Sequence, residues 1–211
     1  MYVRDYMTTN VITCSPETLV VDAQKMLADH KIRRLVVMDG RKLVGIVTRA
    51  KLRDVAPSPA TSLSVWELNY LLAKMKVKEV MEKNVITCSP DATIEDAALI
   101  ATIHSVGALP VVENGELVGI MTQTDLFNIL TEVLGIGKPG VRLHIHESFI
   151  GKPLGEITSI INEHRIEIYS MFSVTVPRTK RKDLIVRLKT DDASALVADF
   201  RARGYTVDVS K

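Results

Sequence analysis

The amino-acid sequence predicts a protein of mixed α/β and α+β class, built from two tandem β-α-β-β-α units and a β-α-β-β-α-β domain. The first observation behind this prediction is a duplication: Asn-Val-Ile-Thr-Cys-Ser-Pro occurs at residues 10–16 and again at residues 84–90. Residues 2–56 align without a gap on residues 76–130, with 20 identities in 55 positions. The second is the alternation of strand and helix patterns along residues 141–211. Two copies of one fold can face each other about a pseudo-two-fold axis, which creates two equivalent clefts for ligands.

Each repeat contains the same series of predicted elements. A short strand (residues 11–13 and 85–87) precedes a Ser-Pro break and an amphipathic helix (residues 20–28 and 94–102). Two strands around a tight turn come next, because Asp39-Gly40 and Asn114-Gly115 are strong hairpin signals. A second helix ends each repeat. Between the repeats, the Pro- and Ser-rich residues 56–62 and a helical pattern at residues 65–75 indicate a linker with its own helix.

The third domain follows a glycine- and proline-rich stretch at residues 135–140, which we interpret as a linker. Strands are predicted at residues 141–146, 166–176, 184–189 and 206–209, and helices at residues 154–163 and 193–203. This order predicts a ferredoxin-like plait. The cations at residues 178–182 fall on its central turn without interleaved aromatic residues, so we interpret them as a solvated hairpin tip rather than a nucleic-acid contact.

Charge and composition argue against several classes of partner. The chain has 27 Lys and Arg against 25 Asp and Glu, so no global field favours nucleic acid or an acidic membrane surface. No apolar run is long enough to span a membrane, and Arg4 and Asp5 fall where a signal peptide needs apolar residues. We therefore expect a cytoplasmic protein. Cys14 and Cys88 occupy matching positions in strand-like runs and are expected to be buried thiols rather than a disulfide or a catalytic pair.

One pair of matching motifs differs in a way that bears on ligand binding. The last strand of each repeat leads into its second helix through Gly-x-x-Thr-x-x-Lys, ending at Lys51, or Gly-x-x-Thr-x-x-Asp, ending at Asp125. Backbone N–H groups and the hydroxyl of Thr122 at a helix N-terminus favour an anion, and Asp125 can accept two hydrogen bonds from a vicinal diol. Phosphate plus ribose is the natural ligand. The structural alternative is that Thr122 caps the helix and Asp125 complements its dipole.

These residues carry a resemblance to a known family. Together with the strand Val-Gly-Ala-Leu-Pro-Val-Val at residues 106–112, the Thr-x-x-Asp motif resembles the signature of tandem cystathionine-β-synthase (CBS) domains, a Bateman module, over residues 2–134. The resemblance implies a regulatory module, not an enzyme, that binds an adenosine compound. AMP, ADP or ATP is the expected ligand, with S-adenosylmethionine as an alternative. The sequence offers no candidate catalytic centre.

The resemblance also implies roles for individual residues. Asp125 and Thr122 would hold the ribose diol, and Arg33 and Arg34 of the first repeat would meet the phosphates, for which the planar guanidinium is suited. The adenine would lie against five residues of the second repeat, namely Thr87, Ser89, Val106, Gly107 and Ala108. The pseudo-symmetric cleft has Lys51 in place of the ribose Asp and lacks the arginines on its partner strand. We expect that cleft to be weak, empty or adapted to another ligand.

The third domain resembles an ACT domain, a small-molecule-sensing module with the same plait. The likeness lies in the topology and in a loop at residues 148–155. ACT domains that bind amino acids usually carry an Asp-x-Pro-Gly-like sequence there, whereas this loop has Lys152-Pro153 and its glycine one place late, at Gly155. The resemblance therefore implies dimerisation or a second small-molecule signal and leaves amino-acid binding open. The order of modules is similar to that of a family of bacterial acetoin utilization proteins, which implies regulation of acetoin or related carbon catabolism through an unknown regulated protein.

The predicted domains are residues 1–55 (first CBS domain), 56–75 (linker with helix), 76–134 (second CBS domain), 135–140 (Gly/Pro linker) and 141–211 (ACT-like domain). The predicted function is that of a cytoplasmic, homodimeric sensor of an adenine nucleotide. Two alternatives remain: a structural adaptor whose CBS cleft is empty, and a metal-dependent enzyme that uses His144 and His146. The enzyme hypothesis is weaker because the sequence places no third metal ligand beside the two histidines, and no metal site is expected.

Overall fold

The computed structural model describes residues 1–54, 74–146 and 154–210. The predicted inter-repeat linker with most of its helix, and most of the loop at residues 148–155, lie outside the described residues. The chain divides into two compact units, Met1–Leu126 and Phe127–Lys211. In the described residues no helix is long and apolar enough to cross a membrane.

The first unit holds the two repeats, whose elements follow the predicted order. In the first repeat they are α1 (Val3–Tyr6), β1 (Thr13–Cys14), α2 (Val20–Asp29), β2 (Arg34–Asp39), β3 (Lys42–Thr48) and α3 (Arg49–Asp54). In the second they are α4 (Val77–Val80), α5 (Ile94–Ile103), β4 (Ala108–Glu113), β5 (Glu116–Thr122) and α6 (Gln123–Val133). The short helices α1 and α4 were not predicted. The last helix, α6, begins in the first unit and continues into the second.

The short first strand of each repeat pairs less extensively than the sequence predicts. In the first repeat β1 runs parallel to β2 over two residues, and in the second a single parallel bridge joins Cys88 to Val111. The pairing in the first repeat begins at Thr13, two residues later than predicted, and it ends after Cys14 because Ser15 begins a turn, in which its N–H donates to Thr18 Oγ1 at 3.0 Å. The following residue, Pro16, has no N–H with which to continue a ladder.

Both predicted hairpins are present, and one turn differs in register. Asn114 and Gly115 form the two-residue loop between β4 and β5, with φ of +50° and +83°. Between β2 and β3 the loop consists of Gly40 and Arg41, so this turn lies one residue later than the predicted Asp39-Gly40. Gly40, with φ of +58°, occupies the place of Asn114. Two-residue hairpin loops need positive φ at their first position, which glycine and asparagine both tolerate.

The two repeats exchange their N-terminal segments. The N–H of Val3 donates to the carbonyl of Ala92 at 2.9 Å, and the N–H of Val77 donates to the carbonyl of Thr18 at 2.8 Å. Both valine side chains are fully buried, and Val77 and Val80 belong to the apolar core of the first repeat. Each repeat therefore depends on a segment of the other, and the exchange obeys the pseudo-two-fold symmetry expected of a duplication.

The exchanged segments then pair with the last strand of the other repeat. Thr8 and Ile120 exchange two backbone hydrogen bonds of 3.0 and 2.9 Å, and Glu82 and Ile46 exchange two of 2.9 Å. A glycine next to each strand residue permits this approach. A Cβ on Gly119 would lie 2.5 Å from Met7 Sδ and 3.1 Å from the carbonyl oxygen of Thr8. Any larger residue would force the two segments apart.

Cys14 and Cys88 are free and buried, which confirms the prediction of two buried thiols. Burial raises the pKa of each thiol to about 11. Both side chains therefore stay protonated at neutral pH, where a thiol is a poor nucleophile and a poor metal ligand.

The second unit has the predicted β-α-β-β-α-β order after the end of α6. Its elements are β6 (Val141–Ile145), α7 (Leu154–Glu163), β7 (Ile168–Thr175), β8 (Lys182–Leu188), α8 (Ser194–Ala202) and β9 (Val207–Ser210). The four strands form one antiparallel sheet in the order β7-β8-β6-β9, the arrangement expected for a ferredoxin-like plait. Alternate strand residues such as Leu143 and Val186 pack with Ile160 and Phe200 of the two helices to form its core.

Gly119→Ala is expected to destabilise the protein by about 1–3 kcal/mol, because the new methyl group must displace Met7 and press on the Thr8 carbonyl. Thermal unfolding followed by circular dichroism measures the effect. Gly155→Ala is the matched control, since a Cβ there meets nothing within 4 Å and alanine favours a helix. An unchanged melting temperature for Gly119→Ala would contradict the close approach of the two repeats.

Candidate functional site

The Thr-x-x-Asp motif forms a closed set of hydrogen bonds at the start of α6. Asp125 Oδ2 accepts from the backbone N–H of Thr122 at 2.8 Å and from its hydroxyl at 2.6 Å. The N–H of Asp125 donates in return to Thr122 Oγ1 at 3.3 Å. This is a capping box, so the structural role that the sequence left open is present. Within the described residues no hydrogen bond engages Asp125 Oδ1, which leaves one oxygen of the half-buried carboxylate for a ligand.

Arg34, the first residue of β2, reaches across to the second repeat. A Cβ built on Gly107 would overlap Arg34 Nη2, so the guanidinium in this position lies directly against the glycine. Gln123 also lies next to this glycine: its N–H donates to the Gly107 carbonyl at 3.2 Å, and its Oε1 would be 3.3 Å from the same Cβ. Since Gln123 is the first residue of α6, the Arg34 side chain lies close to the start of the helix that Thr122 caps.

The surroundings of Arg34 favour an anion. Arg34 is half-buried, and the loss of water contact, followed by repulsion from Arg33, lowers the pKa of its guanidinium. A partly desolvated cation beside a second cation gains more from a bound anion than an exposed one does. Arg33 itself is exposed, and its carbonyl accepts from the Arg49 N–H at 2.9 Å. Among the described residues, no hydrogen bond joins the Arg33 side chain to the other predicted site residues.

The residues predicted to contact a base form two separate groups. Residues 106–108 lead into β4 beside Thr122, which is the Cα partner of Ala108 in β5. Thr87 and Ser89 flank Cys88, whose parallel partner is further along β4. This register offsets Thr87 from the start of β4 by about two residues, or ~7 Å. The structure therefore brings Arg34, Gly107, Thr122 and Asp125 together, and a ligand must extend along β4 to reach Thr87 as well.

The pseudo-symmetric position in the first repeat has different chemistry. Thr48 Oγ1 accepts from the N–H of Lys51 at 3.1 Å, so the helix cap is kept without a carboxylate. The guanidinium of Arg49 donates to the carbonyls of Leu27 and Ile32 at 3.1 and 3.0 Å, which holds that side chain against the backbone. This position therefore lacks an acceptor for a diol in its motif.

The structure adds one residue to the site that the sequence did not single out. Gln123 holds the start of α6 against the carbonyl of Gly107 and places its side-chain amide near Arg34. Its only sequence signal is its place directly after Thr122, at a variable position of the motif. No physical rule demands a glutamine there.

A cavity of about 390 Å³ lies elsewhere in the first unit. It is lined by residues that include Thr9, Asn10, Met38, Arg41 and Glu116, the last two of which form an ion pair. None of the predicted ligand residues lines it. Because Arg34 begins β2 and Met38 is near its end, the cavity and the predicted site are at opposite ends of that strand.

Comparison with protein sequences identifies the module that makes up the first unit. The family model for the CBS domain matches residues 3–58 and 77–132. The chain is 40% identical over 125 residues to inosine-5'-monophosphate dehydrogenase of Korarchaeum cryptofilum, a match that covers 59% of this chain and only 23% of the enzyme. It is 31% identical over 134 residues to a CBS domain-containing protein of Dictyostelium discoideum, covering 63% of this chain and 92% of that protein.

Solved structures of CBS domain proteins are also similar to this chain, and two of them contain adenosine compounds. A putative acetoin utilization protein (AcuB) from Vibrio cholerae superimposes with a TM-score of 0.53 at 29% identity, covering 66% of this chain and 98% of that chain. CBSX2 in complex with AMP superimposes with a TM-score of 0.52 at 28% identity, covering 63% and 97%. A CBS domain pair in complex with 5'-methylthioadenosine and S-adenosyl-L-methionine gives a TM-score of 0.51 at 26% identity, covering 62% and 99%.

Proposed function

The chain belongs to the CBS domain family, whose model matches more than half of its length, and from this premise we propose that it is a cytoplasmic regulatory protein that binds an adenine nucleotide. The observation that carries the proposal is the contact of Arg34 with Gly107 beside the Thr122–Asp125 capping box. A cation that suits a phosphate, a carboxylate that suits a ribose diol and the start of β4 lie close to one another, which supports the proposal. CBS pairs are regulatory modules, and the dehydrogenase activity of one relative belongs to a protein of which this chain spans 23%.

The ribose is proposed to bind at Asp125. Its Oδ1 can accept from one hydroxyl of the diol, while Oδ2 can accept from the other if the Thr122 hydroxyl turns away. The backbone N–H of Thr122 can keep its bond to the carboxylate in both states. Ligand binding would therefore rearrange the start of α6 without unfolding it.

The phosphate is proposed to bind at Arg34, with Arg33 as a second cation. The Arg34 guanidinium lies next to Gly107 and is half-buried, so its donors are close to the proposed site when a phosphate arrives. This arrangement favours AMP, ADP or ATP over S-adenosylmethionine, whose sulfonium carries a positive charge. Relatives have been solved with either class of adenosine ligand, so the choice in this chain depends on its own cations.

We propose that the effect of nucleotide binding is transmitted through α6 to the second unit. This helix begins at Gln123, next to the ligand residues, and ends at Val133 in the second unit. A ligand that binds two arrangements of the capping box with different affinity shifts the equilibrium between them. The second unit, with its β-α-β-β-α-β order, would serve as an ACT domain for dimerisation or a second signal. The similarity to an acetoin utilization protein supports acetoin or related carbon catabolism as the regulated process.

A homodimer is part of this proposal. Leu99 and Ile103 lie one turn apart on α5 and are 58% and 67% exposed, which is unusual for two large apolar side chains on one helical face. A second copy of the chain would bury them.

Asp125→Asn is expected to weaken AMP binding by about 1.5–3 kcal/mol, which corresponds to roughly 10–150-fold, because the charged acceptor of the ribose diol is lost. Asparagine keeps an oxygen for the Thr122 N–H and so preserves much of the helix cap, whereas alanine would also cost about 1 kcal/mol of stability. Isothermal titration calorimetry measures the affinity. The control is Lys51→Ala, at the pseudo-symmetric position, which should leave AMP affinity unchanged.

If the wild type binds none of AMP, ADP, ATP or S-adenosylmethionine, the adaptor hypothesis takes the place of this proposal.

The double variant Arg33→Ala/Arg34→Ala is expected to weaken AMP by about 3 kcal/mol, through lost charge-assisted hydrogen bonds, and to leave adenosine affinity nearly unchanged. S-adenosylmethionine should bind better once the two cations are removed. Calorimetry with the three ligands on one protein preparation distinguishes these effects. Arg41→Ala, which removes an exposed cation from the same repeat, is the control. Equal losses for AMP and adenosine would show that these arginines do not face the phosphate.

Sedimentation velocity of the full chain is expected to show a dimer at micromolar concentration. Leu99→Glu with Ile103→Glu should shift the chain toward monomer, because burying two carboxylates in an apolar contact is costly. Circular dichroism checks that this exposed face can be changed without loss of the fold. A monomeric wild type would contradict the proposed dimer while leaving the nucleotide site untouched.

A further inference from the structure

The sheet of the second unit carries ionisable side chains on the face opposite its core. Leu143 and Ile145 are core residues, so His144 and His146 lie on the other face of β6 and its extension. In the pairing of β6 with β9, the Cα partner of His144 is Asp208. The sheet thus brings a carboxylate from near the end of the described chain to the two histidines.

These three side chains converge closely enough to share one ion. His146 Nε2 is 2.7 Å from Asp208 Oδ2, and the two imidazole rings are 4.2 Å apart between centroids. One ligand atom from each of His144, His146 and Asp208 lies within 4.8 Å of the others. Ligand atoms around a tetrahedral zinc ion are ~3.3 Å apart, given bonds of about 2.0–2.2 Å, so small side-chain rotations would close the site.

A buried carboxylate lies behind the cluster and orients it. Asp183 is fully buried and accepts from Arg181 Nε at 2.8 Å and Arg181 Nη2 at 2.9 Å. Asp183 Oδ2 is also 2.7 Å from His144 Nε2 and 3.4 Å from His146 Nδ1. Arg181 lies in the loop between β7 and β8, where the sequence predicts a hairpin tip, but its guanidinium donates to this buried carboxylate. Carboxylates in this position hold the rings of metal-binding histidines in one orientation.

His146 Nδ1 is a buried polar atom without a hydrogen bond, although Asp183 Oδ2 lies 3.4 Å away. Its Nε2 faces Asp208 instead. A cation bound at Nε2 would place the ring proton on Nδ1, toward the Asp183 carboxylate. Binding of a metal would thus direct the Nδ1–H group of His146 toward the carboxylate of Asp183.

We propose that His144, His146 and Asp208 form a binding site for a divalent transition metal ion, with Zn²⁺ as the preferred ion and Asp183 and Arg181 as its support. Two imidazole nitrogens and one carboxylate oxygen are donors that suit Zn²⁺, Co²⁺ and Ni²⁺, whereas Mg²⁺ and Ca²⁺ prefer oxygen donors throughout. Three protein ligands leave a fourth position for water or a further ligand. The site lies wholly within the second unit and does not rest on nucleotide binding by the first.

Calorimetric titration of the full chain with ZnCl₂ tests the proposal, using protein purified without a histidine tag and stripped with a chelator. We expect one Zn²⁺ per chain and no binding of MgCl₂ under the same conditions. Loading with CoCl₂ should give the visible absorption of a four-coordinate cobalt site, a readout that depends on no variant.

Asp208→Asn and His146→Gln are each expected to weaken Zn²⁺ binding about tenfold or more. The matched control is His164→Gln, which removes a histidine from another His–Asp pair of the same unit, 3.2 Å from Asp199, and should leave Zn²⁺ affinity unchanged. Asp208 is exposed, so Asp208→Asn should keep the fold. Less than one Zn²⁺ per chain, or wild-type affinity in both cluster variants, overturns the proposal.

Discussion

The exchange of N-terminal segments between the repeats is the constraint on which the first unit depends. Val3 is buried with the second repeat and Val77 with the first, and each segment then adds a short ladder to the other repeat's last strand. The first repeat has no complete apolar core alone, since its core includes Val77 and Val80. A duplicated sequence thus produces one compact unit, and the glycines that permit close backbone approach, Gly45 and Gly119, are needed in both copies.

This shared scaffold lets the two repeats differ in chemistry without differing in fold. The hairpins and the Thr-centred helix starts are retained in both, while the side chains around them have diverged. The first repeat supplies Arg34, and the second supplies Gly107 beside it and Asp125, which we propose as the acceptor of a diol. At the equivalent position the first repeat has Lys51, and Arg49 donates to nearby carbonyls. One asymmetric site is the result expected when two matching clefts diverge, because each cleft takes residues from both copies.

In the second unit, polar side chains that could bind a metal ion lie on one face of a four-stranded sheet. One face of its sheet supplies the core with the two helices, which leaves the other face to collect polar residues from β6, β8 and β9. Burial of Asp183 on that face is favoured by Arg181 and His144, which lie within hydrogen-bonding distance of its carboxylate. An adenosine site in the first unit and a metal site in the second would give the chain two independent inputs, joined by α6.

The sequence by itself determined the duplication, the hairpins, the β-α-β-β-α-β order and the buried thiols, because repeat offset, turn residues and periodicity are local properties that do not depend on packing. It also pointed to Thr122 and Asp125, since a motif of four residues carries its own geometry. Only the tertiary structure decided that Arg34 meets Gly107, that Gln123 joins them, and that Asp183 and Asp208 lie beside His144 and His146. Those contacts depend on strand register and on the packing of segments far apart in the chain, and no local pattern specifies either.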